Sequence, residues 1–335
     1  MNWVFYRFLT LLSAGILDQL FGDPRVAWHP ICLIGNLISW MEQHTRGLFP
    51  DTKKGMRAAG VYLVLSVLII STAVPLAVVT GAYCLHPALG VFVESILIYF
   101  TFAAKSLERE SMAVYEALNK DGLDAGRKAV SMIVGRDTAE LTEAGVIRAA
   151  VETVAENTSD GVIAPLFFAA IGGAPLAYFY KAANTMDSMV GYKNERYQWY
   201  GTAAARFDDL VNLIPARLSA FLMLLVCQPF KRHWARRDGI SCSSLGETWH
   251  IYRRDRRAHA SPNSAQTESV MAGALGVQLA GNASYFGVIH EKPTIGDDCR
   301  AVQRQDIVRA VCLMKWTAYL GWALALAVWS VGLIV

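Results

Sequence analysis

The chain has 335 residues, of which 54% are hydrophobic and only 18% charged, against roughly 25% charged in an ordinary soluble domain. A formal net charge of +3 is too small for a nucleic-acid-binding surface, and a mean hydropathy of +0.30 excludes a disordered chain. The apolar surplus therefore belongs in a membrane, with a large polar fraction beside it.

Residues 3–21 are apolar with Arg7 and Asp18 embedded. No small-residue cleavage site follows them, and Gly22-Asp23-Pro24 breaks the helix, so they read as a retained span or interfacial helix. Residues 58–85 carry no Lys, Arg, Asp or Glu and exceed the roughly 20 residues that cross a bilayer. Residues 89–104 are apolar apart from Glu94. With His86 and Pro87 as the turn, 58–104 reads as a helical hairpin.

Residues 105–160 are helical in pattern. Gly135 reads as the residue closing a helix from about 123, and Asp137-x-x-Glu140 as a capping box opening the next from 138. Glu152, Glu156 and Asp160 then follow at four-residue spacing on one face. Three such acids are either a solvated face or oxygen ligands for Mg²⁺. Residues 161–180 are uncharged but interrupted by Pro165, Gly172-Gly173 and Pro175, as in a broken or re-entrant pair lining a cavity.

From Lys181 to Arg217 the chain interleaves Asn184, Asp187, Tyr192, Lys193, Arg206, Asp208, Asp209 and Asn212. Asp208 and Asn212 share a helical face, as do Arg206 and Asp209. Each has an ordinary reading as a cap or surface pair. Together they form the mixture of acids and bases that a phosphate-and-metal site needs. Only 218–230 is cleanly apolar in the segment 210–230, too short to cross alone.

The polar block 231–310 contains Ser261-Pro262-Asn263, a turn signal, then Glu268 and a Gly/Ala run that allows close helix packing or a backbone approach to a ligand. A last uncharged stretch, 316–335, closes the apolar segment 312–335. Twelve Lys and Arg in 231–310 and five in 22–57 place both on the cytoplasmic side by the positive-inside rule. The six cysteines form no CxxC pair, which argues against a disulfide scaffold or thiolate metal site. No P-loop, GxGxxG, HExxH or GxSxG is present. The expected architecture is an all-α, polytopic integral membrane protein of about four to six membrane segments. It forms a single domain over 1–335, with long helical polar loops at 22–57, 105–160, 181–210 and 231–310.

Several ordered motifs carry a resemblance. They are Gly22-Asp23-Pro24 with His29-Pro30 and Gly35, Val134-Gly135-Arg136-Asp137-Thr138, and Glu152 with Glu156-Asn157 and Asp160-Gly161. Further along come Ala164-Pro165-Leu166, Asn184-Thr185 with Asp187 to Tyr192, Arg206 with Asp208-Asp209, Pro215-Ala216-Arg217, and Ser261-Pro262-Asn263. Over about 18 to 315 the chain resembles the adenosylcobinamide-phosphate synthase family of cobalamin biosynthesis. Ala280 stands where that family has Gly, a methyl group expected to matter little. Ala265 and Thr267 replace a common Gly and Pro.

The resemblance implies an ATP- and Mg²⁺-dependent amide ligase in the bacterial inner membrane. It would join adenosylcobyric acid to (R)-1-amino-2-propanol O-2-phosphate or a close analogue, in contact with other membrane enzymes of cobamide assembly and not with nucleic acid. On this reading Glu156, Asp160, Asp187, Asp208 and Asp209 hold metal ions, all but Asp160 being catalytic. Lys181, Lys193, Arg206, Arg217 and Arg136 meet phosphates. Asn184, Tyr192 and Asn263 contact substrate, and His29 orients a group or caps the first loop. The alternatives are a corrinoid or amine transporter, for which no internal repeat speaks, and a membrane sensor of a related family.

Overall fold

The computed structural model describes residues 3–24, 26, 28–192, 194–238, 244–285 and 287–334. Six stretches among them are long and apolar enough to cross a membrane: Trp3–Phe21, Lys53–Leu85, Pro87–Lys120, Glu143–Val190, Leu213–Trp234 and Gln305–Gly332. The protein is an all-α, multi-pass membrane protein. It divides into two compact units, each drawn from separate stretches of chain.

Unit 1 comprises residues 1–103, 164–212 and 322–335. It holds α1 (Trp3–Phe21), α2 (Pro30–Leu48), α3 (Lys53–Leu85) and α4 (Pro87–Tyr99). The expected hairpin is α3 and α4. His86 makes its one-residue turn, its backbone N–H donating to Ala82 O at 3.1 Å and its Nδ1 accepting from Ala88 N at 3.2 Å. Thus one residue closes one helix and caps the next. One apolar core joins Ile38, Leu63 and Val67 to Met186 and Tyr200; another joins Leu11 and Ile98 to Ala169 and Ala177.

The expected interruption is also present. Within the stretch Ala164–Val190, here α8, Gly172 (φ −135°) and Gly173 (φ +64°) leave the helical region. The groups that an unbroken helix would pair are satisfied elsewhere: Ala174 N donates to Glu94 Oε1 at 3.3 Å, and Trp329 Nε1 donates to Ala170 O at 3.0 Å. Glu94 also accepts from Tyr83 OH at 3.0 Å and pairs with Arg7 at 2.6 Å, both charges being buried. Glu94 is thereby a staple for the broken helix, and its charge at membrane depth has a structural cause. The short α9 (Thr202–Val211) completes this unit's polar end.

Unit 2 comprises residues 104–163 and 213–321. Its chain runs through α5 (Ala104–Lys120), α6 (Leu123–Ser131), α7 (Glu143–Asn157) and one π-helical turn over Thr158–Ile163. It continues with α10 (Leu213–Asp238), α11 (Leu245–Asp255) and α12 (Ser264–Leu275), and with α13 (Gln305–Ile334), which ends in unit 1. The segment expected to be too short at 218–230 is extended because Pro215 falls in the first turn of α10, where a missing N–H is harmless. Helix α12 is buried from Ala265 to Leu275. Its Gly273 brings the backbone close to Thr248 of α11, where a Cβ would lie 3.1 Å from Thr248 Cα. Its Gln266 is satisfied by Tyr252 OH, Arg256 O and Pro262 O.

Two expectations are corrected in this unit. Helix α6 stops at Ser131 rather than at Gly135, and α7 starts at Glu143 rather than 138, capped by Thr142. Asp137 does not cap a helix. It accepts from Ser284 Oγ at 2.5 Å and Gly287 N at 2.8 Å, which ties the 132–142 connection to the segment 284–287. Short strands follow α12: β1 (Leu279–Ala280), β2 (Ala283–Tyr285), β3 (Val288–His290) and β4 (Thr294–Ile295). They pair antiparallel as β1 with β4 and β2 with β3.

Candidate functional site

A polar cavity within unit 2 has a volume of about 190 Å³. Its walls come from the 133–136 connection, α7, α12 and the strands: Arg136, Glu152, Glu156, Asn157, His259, Glu268, Ala280, Tyr285 and Lys292 all line it. Glu152 and Glu156 are the acids that the four-residue spacing brought together. Asp160 falls in the π-turn, whose i→i+5 pairing rotates it off that stripe, and it is not among the lining residues.

Glu152 is fully engaged. It pairs with Arg136 and accepts from Ala280 N at 2.7 Å. Glu156 accepts from Ser264 Oγ at 3.0 Å. His259 Nδ1 accepts from Ser261 N at 3.2 Å. Lys292 Nζ donates to Tyr285 OH at 3.0 Å and lies 4.9 Å from that ring's centroid. Glu268, on α12, is 5% exposed. Burial, then the carboxylates of Glu156 and Glu152, push its pKa well up against the opposing pull of Lys292 and Arg136. Neither Glu268 nor Lys292 was singled out by the sequence, because both reach the cavity through contacts remote in the chain. A lone acid inside a run of small and apolar residues was the only signal for Glu268.

Ala280 lines the same cavity at φ +57°, the only non-glycine residue with positive φ among those described. The left-handed region costs an L-residue roughly 1–2 kcal/mol. Ala280→Gly is expected to raise the unfolding midpoint, with a gain of about 0.5–1 kcal/mol after glycine's larger unfolded-state entropy. Ala280→Val is expected to lower it. Thermal unfolding in detergent reads both, and a midpoint lowered by glycine would refute the strain.

Unit 1 carries the second polar group. Tyr180 OH on α8 donates to Asn212 Oδ1 at 2.9 Å. Asn212 Nδ2 then donates to both carboxylate oxygens of Asp208, at 3.1 and 3.0 Å. Burial, then the neighbouring Asp187 and Asp209 carboxylates, push the Asp208 pKa up to about 7, against the hydrogen bonds from Asn212 and Asn184. So Asn184, Asp187 and Asp209 lie near Asp208. The i,i+4 pair of Asp208 with Asn212 is real, whereas Arg206 is exposed and makes no ion pair among the described residues. Lys181 is half-buried on α8 and Tyr192 is 37% exposed. Lys193 lies outside the described residues.

Other sequence candidates have structural roles. His29 caps α2, its Nδ1 accepting from Ile31 N at 3.2 Å while Nε2 lies 2.5 Å from Asp23 Oδ1. In unit 2, Arg217 donates to Leu213 O at 2.7 Å and to the buried Asn263 at 3.2 Å, tying α10 to the start of α12.

No solved structure matches the chain. "Cobalamin biosynthesis protein CobD" of Clostridium perfringens is 44% identical over 320 residues, covering 96% of this chain and 97% of that protein. The protein of the same name in Geobacter metallireducens is 51% identical over 287 residues, covering 86% of each. "Cobalamin biosynthesis protein CbiB" of Salmonella typhi is 42% identical over 322 residues, covering 95% of this chain and 97% of that one. The CobD/Cbib protein family matches residues 11–314, a stretch that takes in the polar groups of both units, and the chain belongs to that family.

Proposed function

We propose that the protein acts in cobalamin biosynthesis as an ATP- and Mg²⁺-dependent amide ligase. It would couple adenosylcobyric acid to (R)-1-amino-2-propanol O-2-phosphate or a close analogue, with its polar regions on the cytoplasmic side of the bacterial inner membrane. The names of its relatives support the pathway. The observation that carries the reaction class is the meeting of three carboxylates with Arg136 and Lys292 around one polar cavity in a membrane protein.

An amine does not displace oxide from a carboxylate. Transfer of the γ-phosphoryl group of ATP makes the carboxylate an acyl phosphate; the amine then forms the C–N bond and phosphate leaves with the C–O electron pair. The demands on the protein are positioning and charge neutralisation. Asp187, Asp208 and Asp209 suit Mg²⁺, since they supply hard oxygens whose mutual repulsion a cation relieves. Among the described residues no three His, Cys, Asp or Glu converge on a metal. Mg²⁺ is typically held by one or two carboxylates with substrate phosphates and water completing its shell. When bound, the ion would neutralise phosphate charge. Tyr180 and Asn212 hold the Asp208 carboxylate in place, and Lys181 lies on the same helix as Asp187 for a phosphate contact.

Phosphate release by detergent-purified protein with Mg-ATP, adenosylcobyric acid and aminopropanol phosphate tests the reading. One phosphate per amide is expected, with none when any component is omitted. Release that ignores the corrinoid acid or the amine would sink the ligase, and corrinoid uptake into sealed vesicles without amide would favour transport.

A further inference from the structure

We infer that the cavity of unit 2 is the subsite for the amine substrate, a small zwitterion that offers a primary ammonium to Glu268 and Glu156 and a phosphate to Lys292 and Arg136. The identity of this ligand rests on the ligase reading; the match of charges does not.

Size comes first. A volume of about 190 Å³ falls below the roughly 300–1,000 Å³ of pockets that take drug-sized ligands. A three-carbon amine phosphate is of the right order for such a volume.

Charge comes second. Glu152 is occupied by Arg136 and Ala280 N, so it is not the receptor for a ligand. Glu268 is different. It sits on a helix buried all round, is 5% exposed, lines the cavity, and has no hydrogen-bond donor among the described residues. A buried carboxyl group without a donor is costly. An ammonium supplies three donors to it, and Glu156, which accepts from Ser264 Oγ, shares that cation. Lys292, which also lines the cavity, has a tyrosine hydroxyl and ring as partners and makes no ion pair with an acid among the described residues. Arg136 brings a fork suited to phosphate oxygens. A cavity for a metal ion has no use for these cations, and a simple anion site has no use for Glu268. A molecule carrying both charges satisfies every group.

Isothermal titration of the purified protein with (R)-1-amino-2-propanol O-2-phosphate, 1-amino-2-propanol and inorganic phosphate tests the assignment. The zwitterion is expected to bind at least tenfold more tightly than either half. Glu268→Gln and Lys292→Met should each weaken it by about tenfold to a hundredfold and raise its KM in the ligase assay. Their Mg-ATP affinity should stay within about twofold of wild type, which controls for folding. Wild-type affinity in both variants, or phosphate binding as tightly as the zwitterion, overturns the assignment. If wild type makes the amide and the variants keep its amine KM, the subsite is wrong and the ligase stands. If the variants lose the zwitterion but wild type makes no amide, the subsite stands and the ligase reading fails.

Discussion

Glu94→Leu is expected to destabilise the protein by about 3–5 kcal/mol, as breaking a buried ion pair does when one charge is left behind. The loss is compound. Arg7 is stranded among apolar helices, and Tyr83 OH and Ala174 N–H both lose the Glu94 carboxylate as acceptor. Gly173→Ala should do as much by another route: a Cβ there would overlap both the Arg7 guanidinium and the Glu94 carboxylate, on a residue already at positive φ. The double replacement Arg7→Leu with Glu94→Leu should recover part of the single-variant loss, because an apolar pair leaves no charge uncompensated. Thermal unfolding of the three variants in detergent measures this. A double variant no better than Glu94→Leu would show that the charge left on Arg7 is not the source of the loss.

Asp208→Asn should separate stability from activity. The unfolded aspartate titrates near 3.9, the folded one at about 7. Between those values the folded state holds a proton that the unfolded state has released, so stability falls as pH rises through the window and levels off above it. The penalty is of the order of 3–4 kcal/mol, and asparagine removes it. In chelator the variant should therefore be more stable than wild type at pH 8 and similar at pH 4. Its Mg²⁺-dependent turnover should fall by two to three orders of magnitude. The wild-type protein should bind Mg²⁺ about tenfold more weakly per pH unit below 7, since the cation displaces that proton. A variant whose stability tracks wild type from pH 4 to 8 would mean that Asp208 is not held protonated by its surroundings.

What could be read in advance depended on how far along the chain a residue finds its partners. The α3–α4 hairpin, the break at Gly172-Gly173 and the Asp208–Asn212 pair are local, and each was legible from spacing alone. The start of α7 was not. Asp137 and Glu140 have the look of a capping box, but Asp137 is claimed by Ser284, 147 residues away. The cavity shows the same division. Glu152 and Glu156 announce themselves by four-residue spacing on one helix. Glu268, Lys292 and Tyr285 arrive from α12 and the strands, where no periodicity marks them. Ala280 was visible as a departure from the family, but its backbone angle was not. A methyl group that adds little volume still costs free energy at φ +57°.

The residues at 322–335 belong with the first hundred rather than with those that precede them. Trp322 packs on Gly15 and Phe102, and Trp329 donates to Ala170. During synthesis, which delivers the N-terminus first, the opening helices therefore wait for the closing one. The carbonyl left unpaired by the helix break at Ala170 gains its indole donor only once Trp329 has been made, 159 residues later. Biosynthetic order and assembly order diverge here. A ribosome stalled before Trp322 has delivered both stretches of one unit, 104–163 and 213–321, while the other, though started earlier, still lacks a wall.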